Sequence, residues 1–305
     1  MNKILVIGST VCDLVIKLDK LPSREGDAHI DKQTWSIGGC AFNVAHFIHE
    51  MGLSYQFISP LGRGVYGDFL KNQLQQLGMA PSHCLDGENG VCYCFVEADG
   101  ERTFLSYHGV EYSFDPAWIE DIEPSAYLYV CGIELEEKTG ADLCRFLEDY
   151  EGQIVFAPGP RLKEIPKDRI EKLLKKRPIL HLNKEEASEF LKIFDLPSAL
   201  DRQEEARQIY GLSQNIVVIT LGSQGALAYD SNFYTASSYP SSVVDTIGAG
   251  DSHMAAFLAA YSQGRGIEKS LDFANQVAAE TVSHQGSQLS PQAYQYFKEI
   301  LNERD

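Results

Sequence analysis

Long hydrophobic runs are missing from this 305-residue chain. The apolar run at residues 4–7 stops at Gly8, and nothing elsewhere approaches the ~18 residues that a membrane-spanning helix needs. The same run is too short for the apolar stretch of a signal peptide, so a cytoplasmic protein is expected. Basic residues are scarce as well. Lys and Arg number 26 against 43 Asp and Glu, for a net charge of −17. Nucleic-acid binding rests on clusters of Lys and Arg, so no nucleic-acid partner is expected, and no anionic membrane surface. Small anionic ligands remain open, because a pocket sets its own local field.

A disulfide framework is also missing. The seven cysteines (12, 40, 84, 92, 94, 131 and 144) are odd in number and irregular in spacing. Cys92 and Cys94 would share one face of a strand, but no second pair follows at zinc spacing. Free, mostly buried thiols are expected. Internal repeats and low-complexity tracts are absent. So are the G-x-x-x-x-G-K-S/T loop and the protein-kinase signature set. No G-x-G-x-x-G follows the first strand, which removes a dinucleotide oxidoreductase from consideration.

What is present reads as a globular α/β protein. The apolar fraction is 44% and the charged fraction 23%, enough for a core that needs no disulfide support. Residues 4–7 form a buried-strand pattern. Strand patterns follow at 14–18, 29–37 and 55–60, and helix patterns at 44–51 and 69–77. A hairpin is expected from 91–96 and 103–107 around Asp99-Gly100. From Ala126 onward strands (127–130, 154–156, 179–182, 216–220) alternate with helices (140–150, 167–175, 185–194). Helices close the chain at about 249–262, 268–284 and 291–302. That alternation predicts a three-layer α/β sandwich with a mostly parallel central sheet. The β-rich segments 12–36 and 90–108 break it. They are expected to form a small, discontinuous β-sheet lid on a large domain made of 1–11, 37–89 and 109–305.

One stretch carries most of the chemistry: Asp245-Thr-Ile-Gly-Ala-Gly-Asp251, followed by an alanine-rich helix pattern. Small residues let backbone N–H groups approach an anion, and the opening N–H groups of a helix lack internal partners at the positive end of its dipole. An acid inside such a cradle repels phosphate. Its presence makes sense if Asp251 takes the proton of an attacking alcohol.

This stretch resembles the C-terminal signature of the ribokinase-like (PfkB) family of carbohydrate and nucleoside kinases. Further motifs occur in that family's order along nearly the whole chain. Gly38-Gly39-Cys-Ala-Phe-Asn43 resembles its first signature, and Asn183-Lys-Glu-Glu186 its N-x-x-E motif. Thr220-Leu-Gly222-Ser-Gln-Gly225 resembles the nucleotide-binding turn. Asn275 matches a position beside the adenine. Gly8 and Asp13 match the first strand and a sugar-gripping acid, and Asp99-Gly-Glu-Arg102-Thr matches the lid hairpin.

The resemblance implies transfer of the γ-phosphoryl group of ATP to a hydroxyl of a sugar or nucleoside, with Asp251 as general base. The N–H groups at Gly248, Ala249 and Gly250 would form the anion hole. The helix N-terminus should keep Asp251 ionised at neutral pH. Asn183 and Glu186 would hold Mg²⁺ through water, and Asp13, Gly38, Gly39 and Asn43 would contact the acceptor. The resemblance also implies a K⁺ site at Asp245, Ile247, Gly286 and Ser290, and a homodimer made through the lid.

Some positions depart from ribokinase itself. Val11 and Cys40 replace an Asn and a Lys. With Phe42 they suit a larger or partly apolar acceptor, such as a nucleoside or a differently shaped hexose. Glu134 matches an acidic sugar contact or is part of a solvated acidic loop. Arg161 could orient an anionic group or pair with the acidic surface. The rival reading is a catalytically silent sensor that binds sugar and nucleotide; the intact Asp251 and glycine turn argue against it.

Overall fold

The computed structural model describes residues 3–119, 126–197, 199 and 201–303. Parts of the expected 1–11 and 109–305 segments therefore lie outside the described residues.

The first strand, β1 (Ile4–Ile7), is buried along its length. Ile4 and Val6 enter one apolar cluster and Leu5 and Ile7 another, because alternate side chains leave a strand on opposite faces. β2 (Val11–Leu18) and β3 (Ile30–Gly38) follow, then α1 (Cys40–Glu50), β4 (Tyr55–Ile58), β5 (Pro60–Arg63) and α2 (Gly64–Gln76). Next come β6 (His83–Glu88), β7 (Val91–Val96), β8 (Arg102–Tyr107), β9 (Tyr127–Cys131), α3 (Gly132–Glu136) and α4 (Gly140–Asp149). The chain continues through β10 (Gln153–Ala157), α5 (Lys167–Leu174), β11 (Ile179–Asn183), α6 (Lys184–Ile193), α7 (Arg202–Ser213) and β12 (Val217–Thr220). It ends with β13 (Ala226–Tyr229), β14 (Phe233–Ala236), α8 (Ala249–Ser262), α9 (Ile267–Thr281) and α10 (Pro291–Asn302).

The main sheet has the order β14-β13-β12-β11-β10-β9-β1-β4. β4 through β12 pair in parallel, and β13 and β14 add an antiparallel edge. One face packs on α1, α8, α9 and α10, the other on α4 to α7. Parallel strands need both faces covered, and this three-layer arrangement supplies the cover. The architecture is the expected α/β sandwich.

β3-β2-β7-β8 form a separate four-stranded sheet. Leu14, Ile16 and Leu18 are buried on one of its faces. Trp35, in register with Leu14, sets its ring 5.4 Å from Tyr66 and 5.5 Å from Phe69 of α2. The opposite face carries Asp13, with Ser36 and Cys92 in register beside it and Ser106 beyond. A short parallel pair, β5 and β6, forms a third sheet.

Three elements escape sequence periodicity. The strand expected at 55–60 divides into β4 and β5. α7 buries Glu205 and Ser213 beside Ala206 and Ile209, so its inner face carries little apolar signal. The β13–β14 hairpin turns through Ser231 at φ 86°, a position where glycine would have marked the turn.

Candidate active site

The turn expected to form the anion hole lies where α8 begins. Gly248 caps the helix at φ 76°, and a Cβ there would lie 2.3 Å from Cβ of Ser287. Both the conformation and the space demand glycine. Ser252 N–H donates to Gly248 O and Ala249 N–H to Thr246 O. The N–H groups of Gly250 and Asp251 have no intrachain acceptor among the described residues. Beyond its own helix turn, no atom of the described residues lies within 4 Å of a Cβ built on Gly250, so the turn opens onto free space. Two unpaired donors at a helix N-terminus, facing an open space, are suited to an anion.

Asp251 stands in the first turn of α8. Its Oδ2 accepts from Asn43 Nδ2 at 2.7 Å. Asn43 lies in the first turn of α1, after the Gly38-Gly39 pair, and its Oδ1 accepts from Ser287 Oγ at 2.9 Å. Three segments distant in sequence are thus linked through the Asn43 amide. Burial pushes the Asp251 carboxyl above its ordinary range, and the hydrogen bonds from Asn43 and Cys40 oppose the rise. The helix terminus alone was expected to keep it ionised; desolvation works against that. A carboxylate whose proton affinity is raised is the stronger proton acceptor.

Asp13 faces the same region from β2. A Cβ on Gly38 would fall 2.0 Å from Asp13 Oδ2, so the glycine makes room for this carboxylate. Burial, followed by the charge of Asp251, raises Asp13 to about 7. Asn43, Gly38 and Asp13 are therefore brought together with Asp251. Gly39 is the N-cap residue of α1. Glu134 in α3 is buried rather than solvated, and its Oε1 accepts from Ser9 N at 2.8 Å and Ser9 Oγ at 3.0 Å.

Asn183 and Glu186 form a reciprocal capping box on α6. Glu186 N donates to Asn183 Oδ1 at 2.8 Å, and Glu186 accepts from Asn183 N at 2.9 Å and Nδ2 at 2.8 Å. Burial raises Glu186 to about 7, the Asn183 backbone hydrogen bond opposes this, and Asp251 and Glu185 add to it. Oriented carboxylates that repel one another in a desolvated site fit a hydrated divalent cation, which would relieve that repulsion.

Thr220 ends β12, and Gly222 and Gly225 bracket a 3₁₀ turn in which Leu221 N donates to Gly225 O at 2.8 Å. Asn275 is buried nearby. Its Nδ2 donates to Ala236 O at 2.9 Å and Ser237 O at 3.1 Å, and its Oδ1 faces His253 Nε2 at 3.2 Å. The amide is thus spent inside the protein. His253 Nδ1 meets His181 Nε2 at 2.8 Å, and burial lowers His253 to about 4.

Of the residues expected to hold K⁺, Asp245, Ile247 and Gly286 adjoin one another through the Asp245 carboxylate. Asp245 Oδ1 accepts from Ile247 N at 2.9 Å and Oδ2 from Gly286 N at 3.0 Å. Arg102 Nη2 lies 2.8 Å from Asp245 Oδ1. Ser290 instead caps α10, its Oγ accepting from Ala293 N at 3.2 Å. The carboxylate already has a cationic partner.

Other positions depart from expectation on the acceptor side. Phe42 is fully buried and stacks on His46 at 5.5 Å, so it belongs to the core beneath α1 and not to the acceptor surface. Val11 is also buried, while Cys40 is half-buried. Arg161 is held by Glu136 through both Nε and Nη2. The sequence reading missed Ser287, Ser9 and the His181–His253 contact. Isolated serines and histidines carry no spacing signal, and only the fold reveals their neighbours.

Over residues 1–293 the chain matches the pfkB family carbohydrate kinase. It is 32% identical over 299 residues to the "Uncharacterized sugar kinase YegV" of Escherichia coli (strain K12), with 95% of this chain and 91% of that one covered. It is 27% identical over 304 residues to the ATP-dependent ribose-1-phosphate kinase of Halopiger xanaduensis, with 96% of each covered. Ribokinase from Thermotoga maritima superposes with a TM-score of 0.84 at 21% identity, over 98% of this chain and 100% of that one. The chain belongs to the pfkB family of carbohydrate kinases.

Proposed function

We propose that the protein transfers the γ-phosphoryl group of ATP to a hydroxyl of an uncharged sugar or nucleoside. The observation that carries the reading is Asp251 itself, held by Asn43 at the mouth of a helix whose neighbouring N–H groups are free. The acceptor hydroxyl forms the new O–P bond as its proton passes to Asp251, and ADP leaves with the electrons of the broken bond. The N–H groups of Gly250 and Asp251 stabilise charge on the transferring group. Glu186 and Asn183 would hold Mg²⁺, which would supply charge neutralisation at the terminal phosphates. Potassium has no assigned role, because Arg102 already neutralises Asp245.

The acceptor is uncharged on this reading. Asp13 and Glu134 would repel a phosphate ester, and Arg161, the cation considered for an anionic acceptor, is committed to Glu136. Asp13 and Glu134 accept hydroxyl protons well, and Asp99, Arg102 and the four-stranded sheet act as a lid that excludes water. Among the described residues the outer strands β3 and β8 have free edges, and Trp35, Phe104, Leu105 and Tyr107 are exposed. Those edges suit a homodimer made through the lid.

A coupled ADP-release assay with Mg²⁺-ATP across pentoses, hexoses, sugar phosphates and nucleosides tests the reading. Turnover with a neutral acceptor supports it. Turnover only with sugar phosphates overturns the uncharged acceptor. ATP binding with no turnover on any acceptor favours the silent sensor.

A further inference from the structure

The anion turn stands beside a buried acid. Asp245 is 7% exposed and lies two residues before the turn that runs from Ile247 to Asp251. An uncompensated carboxylate there would repel any phosphate approaching the free N–H groups. The compensating charge comes from another sheet. Arg102, the first residue of β8, places Nη2 2.8 Å from Asp245 Oδ1 and donates from Nη1 to Thr246 Oγ1 at 3.2 Å. Both arms of the guanidinium are thus fixed on consecutive residues at the entrance to the turn. A cavity of about 330 Å³ lies here, lined by Gly100 to Arg102 on one side and Val243 to Thr246 on the other.

Arg102 has one donor left over. Its Nε–H is buried and has no hydrogen-bond partner among the described residues. A buried, unpaired donor on a permanent cation beside an anion turn is suited to an oxygen of a bound anion. The Asp245 oxygens, meanwhile, are engaged by Arg102, Ile247 N–H and Gly286 N–H. A metal ion bound through this carboxylate would compete with three donors already in place.

We propose that Arg102 is the resident counter-charge of the anion turn, so that nucleotide binding here requires no monovalent metal ion. The inference rests on the phosphotransferase reading and adds how its phosphate site is neutralised. It also ties the turn to the sheet that carries Asp13, because the charge is delivered from a strand of that sheet.

The test is MgADP affinity of the full-length protein by calorimetry, in choline chloride and in potassium chloride of equal ionic strength. The wild type should bind with the same Kd in both salts, within about twofold. Arg102→Met should lose about tenfold in choline, the scale of one charge-assisted hydrogen bond, and recover part of it in potassium. Arg102→Lys, which keeps the charge but not the fork, should fall between them. A purely structural residue would weaken binding equally in both salts, so the salt dependence of the variant is the diagnostic readout. Tighter wild-type binding by tenfold in potassium would overturn the proposal, and that comparison does not depend on either variant folding. No wild-type binding in either salt would instead remove the phosphotransferase reading beneath it.

Discussion

The two sides of the site meet near Asp251 but are made of different material. On the phosphoryl side, the turn from Asp245 to Asp251 presents backbone N–H groups and owes its shape to Gly248. On the proposed acceptor side, Asp13, Glu134 and Cys40 come from β2, α3 and α1, and each would act through its side chain. A site built from backbone needs its small residues in one continuous stretch. A site built from side chains can draw on any element that reaches it. Removing a side chain should therefore change what the acceptor side binds, whereas adding one should block the phosphoryl side.

Asp251→Asn gives the largest expected effect, since it removes the proton acceptor and keeps the hydrogen bond geometry. Turnover should fall by about 10²–10⁴, with MgADP affinity little changed. Near wild-type turnover would remove Asp251 as base.

The glycines test the backbone side directly. Gly248→Ala places a Cβ in a left-handed conformation and against Ser287, and should cost about 2–4 kcal/mol of stability. Gly250→Ala meets nothing within 4 Å and should change stability by about 0.5 kcal/mol or less. Its methyl group nevertheless narrows the open face of the turn, so turnover should drop about tenfold, less than the loss of a whole donor would cost. Thermal melts and steady-state kinetics separate the two. Equal melting temperatures for both variants would contradict the geometry of Gly248.

The same contrast governs what could be read from sequence. The phosphoryl side is legible because Asp245 to Asp251 is one unbroken motif whose residue types have local physical reasons. The parallel sheet is legible too, since β1, β9, β10 and β11 are short apolar runs separated by helical patterns. α7 and the β13–β14 hairpin were not, because their signals depend on polar burial and on a non-glycine turn residue. On the acceptor side, Phe42 looked like a ligand contact from its place after the glycine pair. Its rotation on α1 turns it into the core. Arg102 was legible as a hairpin residue, but its partner Asp245 lies far along the chain, and only the folded arrangement pairs them.

Asn43 joins the two sides, since one end of its amide holds Asp251 and the other accepts from Ser287. Asn43→Ala should free the carboxylate to rotate and lower kcat about tenfold while leaving nucleotide affinity intact, as misplacement of a reacting group does. It also removes a bond that favours the charged form, so the Asp251 carboxyl should titrate higher. An acid limb of the kcat profile that does not move upward in this variant would show that the amide does not tune the base.

Asp13→Asn should have the smallest effect on turnover and a distinctive one on stability. Burial and the charge of Asp251 raise Asp13 from 3.8 to about 7. Between those values the folded protein holds a proton that the unfolded chain has released, so this group's contribution lowers stability as pH rises through that window. Above about pH 7 the folded protein carries the full cost of a buried charge. The Asn variant removes that cost. It should melt about 2 °C higher than the wild type at pH 8, a shift on the scale of 1 kcal/mol for a large domain, and the gain should shrink as pH falls toward 4. Its acceptor KM should rise, because a charged acceptor of hydroxyl protons has been replaced by a neutral amide. If the variant is less stable at pH 8, or its gain is the same at every pH, the carboxylate is not held there at the expense of stability. The acceptor side would then be as well satisfied in the empty protein as the turn opposite it.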